Sequence, residues 1–257
     1  MTQTSSLAEA VRRYYRAYET KDREEIEALL NPDFRFSSPL DDRIDRATYL
    51  ERCWPNSKRT RSIDIKRLWE RDGEVFVHYE LTPITGDSFQ NTEILFGSSN
   101  QIREVFVYFG RGRGTVGDNA KEWAPRQKDE LAAIAKALYQ AFADGDRDAI
   151  ERLIAPDFHF TSPRDNRIDR TTFFERCWPN HNFITGFEFV RVLPADDLVV
   201  VTYEGRSSRG SGFRNTEILT IRNGQIHNTE VYFGWSIPHE ASEGAFVDNE
   251  IAKTKHP

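Results

Sequence analysis

The apolar residues in the first quarter of the chain recur at intervals of three and four. The stretch from Leu7 to Tyr18 shows this spacing most clearly, and it predicts an amphipathic helix. Ser6, Asp22 and Asp45 are each placed to accept a hydrogen bond from the backbone of a first helical turn. The chain is therefore expected to open with two or three helices.

From residue 62 onward the apolar spacing changes to two. This alternation is typical of half-buried strands, and it predicts a meander over residues 62–70, 74–82, 89–96 and 101–109. Helices followed by a meander favour an α+β fold, in which the helices pack on one face of a curved antiparallel sheet.

The whole pattern occurs twice. A shift of 124 residues aligns the two halves without a gap, so that PDFRFSSPLDDRIDRATYLERCWPN from Pro32 falls on PDFHFTSPRDNRIDRTTFFERCWPN from Pro156. Because no loop changes its length, both copies are expected to share one backbone. We predict two domains at 1–112 and 127–238, a linker rich in glycine and charge at 113–126, and a C-terminal tail at 239–257.

Composition and charge limit the kinds of molecule that the protein is expected to bind. The 257 residues are 38% hydrophobic and 30% charged, and the formal net charge of −6 gives no basic field for nucleic acid. No apolar run is long enough to span a bilayer, and the first residues lack the apolar core of a signal peptide, so a cytoplasmic location is expected.

Cys53 and Cys177 stand at equivalent positions of the two copies, which favours two small buried thiols over a disulfide. The six histidines have no metal-binding spacing, and the sequence contains no phosphate loop or dinucleotide motif. We therefore expect neither a metal nor a cofactor.

The element order, the motif FxFxSPxDxRIDRxTxxERCWPN and the closing VYFG of each copy resemble a SnoaL-like domain of the nuclear transport factor 2 superfamily. The resemblance covers residues 6–110 and 128–234, and it implies a cone-shaped pocket between the helices and the concave face of the sheet. That superfamily contains polyketide cyclases, ketosteroid isomerases, epoxide hydrolases and non-catalytic binding modules. The resemblance therefore implies the fold more firmly than the reaction.

The expected function is that of a small-molecule-binding protein or a cofactor-free enzyme of polyketide-cyclase-like type, acting on an apolar ligand. The alternative is a non-catalytic ligand-binding or interaction module, in which the two copies form an internal pseudo-dimer that leaves further homo-oligomerisation open. Epoxide hydrolase or isomerase activity is the third choice. The resemblance to ketosteroid isomerases places Ser38, Ser162, Thr92 and Thr216 where that family has aspartates, which argues against its chemistry.

Asp41 and Asp165 follow a Ser-Pro turn and are the predicted general bases, with Tyr14 nearby and with Ser38 or Ser162 positioning a water. An Asx-type turn is the alternative role for both aspartates. Further ligand contacts are predicted from aromatic and hydroxyl side chains of the helices and the concave strands. They are Tyr15, Tyr18, Trp54, Tyr79, Thr92, Phe109, Tyr139, Trp178, Tyr203, Thr216 and Phe233.

The outer face of the sheet is expected to mix polar and aromatic side chains. Asn91, Glu93 and Glu80 are assigned to this face, where they are interpreted as hydrogen-bonding groups of the pseudo-dimer or, for the two glutamates, as an acid/base pair. On the third helix, Arg52 is expected to point outward. Arg43 is expected to bind an anionic substrate group or to pair with Asp41 or Glu51.

Overall fold

The computed structural model describes residues 6–98, 100–112 and 128–247. These residues form two compact units. The first contains the described residues up to 112 together with 239–247, and the second runs from 128 to 238. The predicted linker at 113–126 lies outside the described residues.

The first unit contains three α-helices, a short 3-10 helix and six strands. In chain order they are α1 (Leu7–Thr20), α2 (Arg23–Leu29), β1 (Leu30–Ser38), β2 (Asp41–Asp45), α3 (Arg46–Arg52), the 3-10 helix (Trp54–Arg59), β3 (Thr60–Arg71), β4 (Glu74–Pro83), β5 (Phe89–Ser98) and β6 (Gln101–Gly112). Strands β3, β4, β5 and β6 pair antiparallel in that order, β1 pairs parallel with β6, and β2 pairs antiparallel with β1.

The second unit repeats this order of elements. They are α4 (Lys128–Asp144), α5 (Arg147–Leu153), β7 (Ile154–Ser162), β8 (Asp165–Asp169), α6 (Arg170–Arg176), a 3-10 helix (Trp178–Asn182), β9 (Ile184–Ala195), β10 (Leu198–Ser207), β11 (Gly212–Arg222) and β12 (Gln225–Ile237). The strands pair as in the first unit, with β7 parallel to β12. The α+β prediction is confirmed in both units.

The predicted helix caps are present. The side chains of Ser6, Asp22 and Asp45 accept hydrogen bonds from backbone N–H groups three residues further on, at 3.2, 3.0 and 2.8 Å. Asp146 and Asp169 do the same in the second unit. Each side chain satisfies a backbone donor that the first helical turn leaves without an intrahelical partner.

The four predicted strands of each meander are also present, but the predicted faces of β5 and β11 are wrong. Tyr79 lies directly opposite Asn91, and Val77 lies directly opposite Glu93. Directly opposed residues of antiparallel strands point to the same face. Asn91 and Glu93 therefore share the concave face with Tyr79, and Thr92 points to the other face.

The hydrophobic core of each unit lies between the helices and this concave face. In the first unit it joins α1 residues such as Val11 and Tyr15 to sheet residues such as Val77, Leu95 and Val105. Within the described ranges, no helix has both the length and the apolar character needed to cross a membrane.

Candidate functional site

Each unit has a cavity between its helices and the concave face of its sheet. The cavity of the first unit has a volume of about 660 Å³, and that of the second has about 420 Å³. These volumes lie within the range of small-molecule sites. Helix α1 contributes Tyr14, Tyr15 and Tyr18 to the first cavity, and the sheet contributes Tyr79 and Glu93 among others.

Glu93 is the buried carboxyl group of the first cavity. Its Oε2 accepts a hydrogen bond from the Tyr15 hydroxyl at 2.8 Å, and its Oε1 accepts one from the Tyr79 hydroxyl at 2.7 Å. The side-chain amide of Asn91 donates to the Tyr79 oxygen at 3.4 Å. Two hydroxyl donors thus hold the carboxyl group at the wall of the cavity.

Burial raises the pKa of Glu93 to about 7, because removal from water disfavours the carboxylate. The hydrogen bonds from Tyr79 and Tyr15 favour the carboxylate and oppose this rise. Burial also raises the pKa of both tyrosines well above 10, so they remain protonated donors. Of these three groups, Glu93 is therefore the one that gains or loses a proton near neutral pH.

The second unit contains the same arrangement at the same offset of 124 residues. Tyr139 donates to Oε2 of Glu217 at 3.0 Å, and Tyr203 donates to Oε1 at 2.6 Å. Burial raises the pKa of Glu217 to about 7 as well. Asn215 also lines this cavity. The two units share a tyrosine pair, an asparagine and a glutamate at matching positions.

A second polar group, around Asp41, lies at the Ser-Pro turn of the first cavity. Asp41 is 5% exposed, and its Oδ2 accepts from the Ser38 hydroxyl at 2.6 Å, while its Oδ1 pairs with Nε of Arg52 at 2.6 Å. All three residues line the cavity. The prediction that Arg52 points outward is wrong, because this ion pair turns it toward Asp41.

The second unit repeats this group as Ser162, Asp165 and Arg176. Ser162 donates to Asp165 at 2.9 Å, and Arg176 pairs with Asp165 at 3.0 Å. The Arg176 side chain is 60% exposed, whereas that of Arg52 is 21% exposed. In both units the two carboxylate oxygens of the predicted base already have partners. The Ser–Asp–Arg group of each unit is therefore also a clasp, which ties the Ser-Pro turn to the helix that follows it.

The C-terminal segment 239–247 lies beside the clasp of the first unit. The amide of Val247 donates to the carbonyl of Leu40 at 2.7 Å, and the amide of Asp42 donates to the carbonyl of Ala245 at 3.0 Å. The guanidinium of Arg52 lies 3.9 Å from the centre of the Phe246 ring. This segment therefore contacts the clasp of the first unit through Arg52.

A cluster of tyrosine hydroxyls is present in the first cavity alone. Tyr49 on α3 lies within hydrogen-bond distance of Tyr14 and of Tyr18, with oxygen-to-oxygen distances of 2.5 Å. At the equivalent positions the second cavity has Leu138, Phe142 and Phe173. All three hydroxyls are therefore absent from the second cavity.

Most of the predicted site residues line a cavity. They are Tyr14, Tyr15, Tyr18, Ser38, Asp41, Tyr79 and Phe109 in the first unit, and Tyr139, Ser162, Asp165, Tyr203 and Phe233 in the second. Whether they bind or react stays a prediction.

Four predicted ligand contacts do not line a cavity. Thr92 and Thr216 face away from the cavities because of the register of β5 and β11. Trp54 is buried behind Tyr18, with ring centres 5.0 Å apart, and Trp178 lies behind Phe142 at 5.4 Å. The two tryptophans therefore support lining residues instead of reaching the cavity themselves.

Arg43 pairs with Glu104 at 2.7 Å and with Glu243 at 3.3 Å, and not with the acidic residues that were expected. Cys53 and Cys177 are free, partly buried thiols. Burial raises the pKa of each thiol to about 12, so both remain neutral. Among the described residues, no group of three or more His, Cys, Asp and Glu side chains is arranged to hold a metal ion.

The outer face predicted for Glu93 is wrong, and its counterpart Glu217 likewise lies on the concave face. The signal that finds them is the repeated segment NTEIL, which keeps a glutamate in the middle of a predicted strand in both copies. Such a charge in a half-buried strand is expected either at an interface or in a cavity, and only the strand register decides between the two.

Comparison with known proteins agrees with this description. The profile of the SnoaL-like domain family matches residues 11–97 and 135–228. A search of curated proteins finds no significant match.

Three solved structures illustrate the similarity. An NTF2-like protein from Cytophaga hutchinsonii is 18% identical, with 42% of this chain and 94% of that chain covered and a TM-score of 0.36. An LEH-like epoxide hydrolase from M. tuberculosis is 17% identical, with coverages of 42% and 85% and a TM-score of 0.37. The proposed polyketide cyclase IdmH from Streptomyces antibioticus is 21% identical, with coverages of 39% and 89% and a TM-score of 0.35.

The profile matches one region in each unit, and together the two regions span more than half of the chain. The chain therefore belongs to the SnoaL-like domain family, with one family domain in each unit.

Proposed function

We propose that each cavity binds an apolar small molecule with a carbonyl group and that Glu93 or Glu217 moves a proton on it without a cofactor. The observation that carries this proposal is a buried carboxyl group in a cavity wall, with a pKa of about 7. A general base works best when its pKa lies near the working pH, since it is then both available and strong enough.

The proposed step is removal of a proton from the carbon next to the carbonyl group. The carboxylate takes the proton, the C–H electron pair moves into the carbonyl system, and the resulting enolate carries the negative charge. Where a carbon–carbon double bond is conjugated with the enolate, return of the same proton to the far carbon of the conjugated system gives an isomer. Addition of the enolate to a second carbonyl closes a ring, and the carboxyl group then returns its proton to the alkoxide. Both outcomes balance without an oxidant or a metal.

Hydrogen–deuterium exchange into an apolar ketone tests the proton transfer directly. The full chain is incubated in D2O with 2-tetralone, and deuterium incorporation next to the carbonyl is followed by NMR. We expect the wild type to accelerate exchange, with a rate that rises as the pH passes about 7 and Glu93 and Glu217 become carboxylates.

The double variant E93Q/E217Q is expected to lose at least about 100-fold of the protein-dependent rate, because loss of a positioned base costs roughly 10² to 10⁴ in rate. The matched control is E51Q/E175Q, which changes two exposed glutamates at equivalent positions of the two copies. Equal exchange by the wild type and E93Q/E217Q would rule out both glutamates as the base.

A ligand-binding module without turnover is the second candidate. The observation in its favour is that both oxygens of Glu93 already accept hydrogen bonds from Tyr15 and Tyr79, an arrangement that also suits a fixed polar anchor. Saturable binding of 2-tetralone, measured by calorimetry, together with an exchange rate equal to the buffer rate, would select this candidate over the enzyme.

A further inference from the structure

The polar lining of the two cavities differs at three positions together. Tyr14, Tyr18 and Tyr49 form the hydroxyl cluster of the first cavity, with Tyr49 hydrogen-bonded to the other two. The residues 124 positions later are Leu138, Phe142 and Phe173, and they line the second cavity. The cavities keep the same glutamate network and differ in what lies beside it.

Hydroxyl groups buried in an apolar cavity favour a polar ligand. Each of the three hydroxyl oxygens has two lone pairs, and the hydrogen bonds within the cluster leave several of these lone pairs for another group. A ligand hydroxyl group placed there gains a hydrogen bond by donating to one of these oxygens. A hydrocarbon placed there instead leaves the buried hydroxyls with unused hydrogen-bonding capacity, which is unfavourable.

The second cavity has the opposite preference at this place. A ligand oxygen between Leu138, Phe142 and Phe173 would lose its water and find no donor on these three side chains. Phe183 also replaces the charged Arg59 in the lining of the second cavity, whereas Arg164 and Ser207 replace Leu40 and Pro83 at other positions of the lining. The second cavity is also the smaller of the two.

We infer that the two cavities select different ligands. The first takes a compound with an oxygen substituent at the tyrosine cluster, and the second takes a smaller compound that is apolar and aromatic at the same place. This inference rests on the proposed function in one respect only, namely that both cavities bind small molecules.

The test compares 2-naphthol with naphthalene, two probes of one shape that differ by a single hydroxyl group. Trp54 and Trp178 report on their own cavities, because each packs against a lining residue. The full chain is labelled with 5-fluorotryptophan, the two signals are assigned with W54F and W178F, and each probe is titrated by ¹⁹F NMR.

We expect the preference for 2-naphthol over naphthalene to be about tenfold larger at the first cavity than at the second, which corresponds to one added hydrogen bond. The variant Y14L/Y18F/Y49F gives the first cavity the residues of the second and is expected to remove this excess. The single variant Y18F, which deletes one hydroxyl group and leaves the ring in place, is expected to reduce it.

Equal preferences at the two cavities, or an excess that survives both Y18F and the triple variant, would overturn the inference and leave the proposed function standing. Failure of both probes to bind at either cavity would overturn the proposed function, and the inference would fall with it.

Discussion

Glu93 and Glu217 hold their protons more tightly in the folded chain than in the unfolded chain. Burial raises both pKa values to about 7 from an ordinary value of 4.5. Between these two pH values the folded state binds more protons than the unfolded state, so the free energy of unfolding falls as the pH rises. The loss amounts to at most about 3 kcal/mol for each glutamate.

The variant E93Q/E217Q is expected to be more stable than the wild type at pH 8, because glutamine resembles the protonated acid and carries no buried charge. Its free energy of unfolding should also change less between pH 5 and pH 8. Urea unfolding at the two pH values measures both effects, with E51Q/E175Q as the control. If the free energy of unfolding of E93Q/E217Q depends on pH as strongly as that of the wild type, the two glutamates do not titrate in this range.

At the scale of elements, the Asp41–Arg52 pair ties the β1–β2 turn to α3. Removal of one partner from a buried pair is costly because the other charge stays behind, whereas an exposed pair contributes little. We expect D41N to destabilise the first unit by about 3 kcal/mol. D165N should destabilise the second unit by less than about 1 kcal/mol, since Arg176 is largely exposed.

Thermal unfolding of the two variants compares these costs, and equal losses would contradict the difference in burial. Deuterium exchange into 2-tetralone on the folded variants separates the two roles of Asp41. Exchange retained in the double variant D41N/D165N identifies a clasp in both units, and loss of exchange with an intact fold identifies the base that the sequence predicted.

The helix starts and strand positions were predictable from the sequence because they depend on neighbours in the chain. A cap such as Asp45 needs only a backbone N–H three residues away, and the meander follows from local alternation. The face of β5 was not predictable in this way. The face depends on the pairing of Tyr79 with Asn91 in the neighbouring strand. Because Glu93 points inward, it interrupts the apolar alternation from which the inward face of β5 is predicted.

At the scale of the whole molecule, the C-terminal segment 239–247 belongs to the first unit. A chain that ends at Pro238 would lose the carbonyl of Ala245 that accepts from the amide of Asp42. We expect this truncation to lower the unfolding temperature of the first unit and to leave that of the second unchanged.

Amide hydrogen exchange measured by NMR gives the sharper result, because the Asp42 amide should exchange faster in the truncated chain while the Asp22 amide, bonded to the carbonyl of Ala17, should not. Unchanged protection of Asp42 would show that the segment is not held there in solution.

This segment also has a consequence for the order of events during synthesis. The ribosome makes residues 6–112 before the second unit and residues 239–247 after it. The hydrogen bonds to Leu40 and Asp42 therefore form only after the second unit has been synthesised. Of the two units, the one that begins to emerge earlier is thus the one that is completed later.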